Sequence, residues 1–184
     1  MKKQGLFYVF VFLMSCTSLE KKQNETLKAN EHNLVVEQNL KWKALKAYVG
    51  KYSKETNFFE NELVKNELIK IMADDYNAYM RFVESAGCGI VEKLDDIIYC
   101  DISLEHVGGY NSMILINTVE RKMYLFWLNG TVREKDYKIY GDRPYPKAIK
   151  DIIENDMNIG WGHVAESVFV EDGLEINLLN PKSN

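Results

Sequence analysis

Histidine and cysteine are scarce here, three of each in 184 residues. Three histidines without a cysteine cluster argue against a dedicated zinc site, since such sites gather about four nitrogen or sulfur ligands. The sequence contains no Walker loop, no dinucleotide fingerprint behind a strand, no HExxH and no GxSxG elbow. It therefore gives no reason to assign a catalytic residue or to expect a cofactor. An excess of basic charge is missing too: 23 lysines and arginines face 27 acidic residues, a net charge of −4. That balance leaves no footprint for DNA or RNA, and it argues against anionic lipid being bound by the folded part. A membrane-spanning run is also absent at the N-terminus. The apolar stretch Leu6 to Met14 rises only about 14 Å as a helix, against a hydrocarbon core of about 30 Å.

What stands at the N-terminus is an export signal in its usual order. Lys2 and Lys3 supply charge, LFYVFVFLM supplies the apolar run, and small Ser15 precedes Cys16. The tetrapeptide Leu13-Met14-Ser15-Cys16 resembles the lipobox of bacterial lipoproteins, although Met14 stands where a small residue is usual. The resemblance implies that the Cys16 thiolate takes a diacylglycerol and that cleavage leaves Cys16 as the first residue. The alternative is an ordinary secretory signal with a chance cysteine at its boundary. Loss of residues 1–15 removes two lysines, bringing the charge to −6. Residues 16–33 are the lipidated cysteine and a polar tether without apolar periodicity. The remaining 34–184 suit a single domain, held at the inner or outer membrane of the cell envelope through Cys16.

Hydrophobic periodicity organises that domain. Trp42, Leu45 and Val49 predict a helix over 34–49, closed by Gly50. Asn57 and Glu60 read as a capping box opening a second helix with the stripe Val64, Leu68, Ile71 and Met72. Asp74 is placed to cap a third, bearing Tyr76, Tyr79, Met80 and Val83. The period then changes to strands at 97–102, 112–117, 122–128 and 137–140. A helix over 147–157 follows, then strands at 164–170 and 174–179 joined at Glu171-Asp172-Gly173. The fold class is α+β: N-terminal helices packed on an antiparallel meander sheet with one interposed helix.

Three groups of residues are candidates for chemistry or binding. Cys88 and Cys100 flank a hairpin whose turn lies near Leu94-Asp95-Asp96. In an exported chain such a pair reads either as a disulfide or as two buried thiols. A two-residue turn would set Cys88 three positions out of register with Cys100, and a bulge or longer turn would bring them closer. The loop Glu105-His106-Val107-Gly108-Gly109-Tyr110 joins two strands, where a histidine beside glycines can probe a partner's cleft. Gly160-Trp161-Gly162-His163, with Glu166, reads either as a pocket or as a helix-to-strand entry whose tryptophan fills the core. His163 and Glu166 would point to opposite faces of a strand.

The stretch 97–128 resembles the strand–loop–strand centre of the family of periplasmic inhibitors of vertebrate lysozyme. That family carries C-x-x-H-x-C followed by glycine in the loop, and the histidine enters the enzyme's cleft. Ser103 to Gly109 fits this spacing, with His106 and Gly109 matching. Ser103 and Gly108 stand where the family has cysteines, so the covalent brace is missing. The lipid anchor, the lack of a catalytic set and the His106 loop together point to a non-catalytic, membrane-tethered binding protein of inhibitor or immunity type, with an envelope protein such as a cell-wall hydrolase or toxin as its partner. The alternative is a small envelope enzyme or ligand-binding domain with its pocket around Trp161, His163 and Glu166.

Overall fold

The computed structural model describes residues 33–104, 110–159 and 166–178. The chain forms two units, Met1–Lys41 and Trp42–Asn184. Helix α1 covers residues 33–44, and in the first unit Lys41 pairs with Glu37 one turn away, at 3.1 Å. From Leu45 to Tyr48 the helix tightens to 3-10 geometry. Gly50 then turns the chain with φ +81°, a conformation glycine adopts without a Cβ penalty.

The second unit is α+β, as expected. Helices α2 (Glu62–Met72) and α3 (Tyr76–Ser85) precede strands β1 (Gly87–Cys88), β2 (Glu92–Leu94), β3 (Ile97–Ser103), β4 (Tyr110–Asn117), β5 (Lys122–Asn129) and β6 (Tyr137–Tyr140). These strands form one antiparallel sheet in the order β1-β3-β4-β5-β6, with β2 also paired to β3. Helix α4 (Lys147–Ile159) follows, then β7 (Glu166–Phe169) and β8 (Glu175–Leu178). The last two strands form their own two-stranded sheet instead of extending the meander.

The central sheet is covered on both faces. Against one face, Phe58, Val64, Leu68, Tyr79 and Phe82 pack on Ile98, Ile102, Ile114, Leu125 and Trp127. Against the other, Ile149, Ile152 and Ile153 of α4, with Leu174 and Ile176 from the hairpin, pack on Met113, Leu115, Tyr124 and Phe126. Met113–Ile116 and Met123–Leu128 are therefore buried without alternation, the pattern of a strand with two apolar sides. At the end of β6, Gly141 (φ +108°) lies against β5. A Cβ there would sit 2.5 Å from the carbonyl oxygen of Met123.

The helix caps differ from the sequence reading. Asn57 adopts the left-handed region and its side chain caps nothing. Phe58 and Phe59 turn into the core on a short 3-10 segment, and the cap of α2 is Asn61, whose side chain accepts from the amides of Leu63 and Val64. Asp74 is no cap either: α3 has no side-chain cap and follows a 3-10 turn over Ala73–Asp75.

Candidate functional site

Strands β3 and β4 lie inside the sheet, and their pairing runs without interruption from Ile97↔Asn117 to Ser103↔Asn111. One residue further, the Leu104 amide donates to the Tyr110 carbonyl at 3.1 Å. Leu104 and Tyr110 therefore stand side by side at one end of the sheet. Glu105, His106, Gly108 and Gly109 lie outside the described residues. Tyr110 is half-buried and, with Leu104, packs against the helical-side core.

Behind this end sits an aromatic and polar cluster that the sequence reading did not identify. Trp127 lies opposite Ser112 on β4 and Lys138 on β6. Its ring meets Tyr79 edge-on at 5.3 Å and Phe82 at 5.8 Å. The Tyr79 hydroxyl and Ser112 Oγ share a buried hydrogen bond of 3.1 Å, and Ser112 Oγ donates to the Phe126 carbonyl at 3.0 Å. Burial pushes the Tyr79 hydroxyl far above its ordinary titration range. Trp127 Nε1 alone among the described buried side-chain N and O atoms has no acceptor. At the rim, Lys138 Nζ and the Tyr140 hydroxyl both donate to Asp75, at 2.7 and 2.8 Å. These two hydrogen bonds hold the Asp75 carboxyl below its usual value. The role is tertiary: Asp75 fixes the start of α3 to the edge strand.

The two thiols are free. β1 sets Cys88 opposite Ile102, while β2 sets Glu92 opposite Tyr99. Three residues, 89–91, thus face two on β3, a one-residue bulge. The bulge makes Cys88 and Cys100 diagonal neighbours on one face, a relation that places Cα atoms roughly 7–8 Å apart. Disulfides span about 4.4–6.8 Å. Cys100 Sγ instead donates to buried Ser53 Oγ at 3.3 Å. Burial pushes its thiol up to about 12 and also raises Cys88, so neither is poised as a thiolate nucleophile.

Trp161 and His163 lie outside the described residues. Glu166 opens β7 at the surface and is ion-paired with the guanidinium of Arg133.

On the opposite face of the sheet, Glu92, Asp101 and Asp156 come together from β2, β3 and α4. Tyr99 donates to Glu92 at 2.8 Å, and none of the three carboxylates has an ion-pair partner among the described residues. Desolvation first, then the charges of Asp101 and Glu92, push the Asp156 carboxyl up to about 6. Its side chain still reaches solvent, which limits how strongly burial acts and leaves like-charge repulsion a larger share. A carboxyl raised from 3.8 takes up a proton on folding. Its stabilising contribution is full below about 3.8 and is lost as pH rises through about 6. Wild type should therefore gain more unfolding free energy between pH 7.5 and pH 5 than Asp156→Asn does, measured by urea titration at both values. Equal gains would contradict the clustering of these carboxylates.

Among the described residues, no group of three or more histidine, cysteine, aspartate or glutamate side chains could hold a metal ion. None of their helices is long and apolar enough to cross a membrane. Compared with family models, curated proteins and solved structures, the chain matches none of them.

Proposed function

We propose that this chain is a lipid-anchored envelope protein that binds a protein partner, without catalysis, through the β3–β4 connection. One observation carries the reading. The β3–β4 ladder runs unbroken to its end, where the Leu104 amide bonds to the Tyr110 carbonyl, and the five residues that join these two in the sequence include His106. A contact offered from a rigid base loses less conformational freedom on binding than one offered from a long free loop. The apolar signal ahead of Cys16 supports the anchor, and the anchor, the lack of a catalytic motif in the sequence and the His106 segment together support a partner of the inhibitor or immunity type. Against the rival pocket around Trp161, His163 and Glu166 stands the ion pair that occupies Glu166.

The test is capture from the cell envelope with the tagged full chain, followed by affinity measurement on the recovered protein. His106→Ala should weaken that binding roughly thirtyfold, the loss expected for a central contact worth about 2 kcal/mol. Identical affinities for wild type and variant would remove the β3–β4 connection from the interface.

A further inference from the structure

The chain's net acidity conceals an uneven distribution. From Lys41 to Lys54 the sequence KWKALKAYVGKYSK carries five lysines and no acidic residue. The fold brings four of them, Lys43, Lys46, Lys51 and Lys54, to one edge of the helical layer, where Lys93 joins them. Lys43 and Lys46 are three residues apart where α1 passes into its 3-10 end. The Gly50 amide donates to Val91 O at 2.8 Å and the Val91 amide to Lys51 O at 2.9 Å. Tyr52 bridges Ile90 in the antiparallel sense, so residues 50–53 line the sheet edge. That ladder sets Lys51 opposite Val91. Lys93, two residues further along, shares the face, and its own partner Ile98 lies in the helical-side core.

The lysines are unequally compensated. Lys46 pairs with Asp96 at 3.0 Å, in the turn that also carries Asp95. Lys54 donates to the carbonyls of Glu84 and Ala86 at the end of α3, bonds that leave its charge unneutralised. Lys43, Lys51 and Lys93 are exposed, with no ion pair among the described residues.

We propose that this lysine edge rests on the anionic headgroups of the bilayer to which the chain is anchored. The proposal builds on the lipid-anchor reading above. Sixteen residues separate Cys16 from the start of α1, a span of at most about 55 Å when fully extended, so the edge lies within reach of the surface. Clusters of about four to eight lysines beside a membrane attract anionic lipid. Screening over about 8 Å makes local rather than net charge decide, which reconciles a basic contact with an acidic chain.

Lysine acylation of the full chain, reconstituted into vesicles, reads this directly. One set holds phosphatidylcholine alone, the other phosphatidylcholine mixed with phosphatidylglycerol. On the anionic vesicles Lys43, Lys51 and Lys93 should react about fivefold more slowly, and high salt should abolish the difference. Lys147, at the start of α4 against the opposite face of the sheet, should react equally on both. Equal rates at the three edge lysines would overturn the proposal. The mass of the Cys16 peptide in the same digest separates the two readings. Slowed lysines without an acyl group keep the basic edge and remove the anchor, while an acyl group with equal rates removes only the edge.

Discussion

Trp127→Ala should lower the free energy of unfolding by about 3–5 kcal/mol, the range for truncating a large buried aromatic. The ring is 8% exposed and fills the space between α3 and the sheet, in contact with Tyr79 and Phe82. Alanine would leave a cavity that Tyr79 could move into only by breaking its hydrogen bond to Ser112. Trp127→Phe should cost far less. It retains most of the apolar contact and deletes an N–H that has no acceptor, a defect that costs about 1–3 kcal/mol when buried. Urea unfolding of both variants checks this. If phenylalanine proved as damaging as alanine, Nε1 would have to be hydrogen-bonded in solution, and the packing at this end of the sheet would need revision.

Elements with strong periodicity were legible in the sequence. The stripe Val64, Leu68, Met72 and the triplet Ile149, Ile152, Ile153 all reach the core. Strands β3 to β6 begin and end within two residues of where β-branched and aromatic residues place them. The layering was less legible. Continuous apolar runs such as Met113–Ile116 mark a buried strand, but nothing local says that α4 and a separate β7–β8 sheet cover the second face. Caps failed for a similar reason. Asn57 and Asn61 carry the same side chain, and only the burial of Phe58 and Phe59 between them decides which one heads α2.

The candidate site divides along the same line. The position of the β3–β4 connection follows from strand order and could be read in advance. The diagonal relation of Cys88 and Cys100 depends on a bulge at residues 89–91, and the sequence reading named a bulge only as one option. Trp127, Ser112 and Tyr79 converge from two strands and a helix, and Glu92, Asp101 and Asp156 from two strands and another helix. No linear spacing records either group. An ion-pair scan could not find the second, because its members share one sign.

On the lipid-anchored reading proposed above, loss of membrane attachment is the largest functional effect expected of any single substitution, and it would rest on one atom. Diacylglycerol transfer requires a sulfur nucleophile at Cys16, and a serine hydroxyl is far less nucleophilic at neutral pH than a thiol with its few per cent of thiolate. Cys16→Ser should therefore remain unlipidated and keep its signal. The apolar run Leu6 to Met14 is too short to serve as a stable span, so retention at the membrane should become weak. The fold should be unchanged, since among the described residues none before Trp42 belongs to either core. The deciding measurement is incorporation of labelled fatty acid into the full chain expressed in bacteria, comparing wild type with Cys16→Ser. Label in the wild type with essentially none in the variant is the predicted result; equal labelling of the two, or none in either, would contradict the lipid-anchored account.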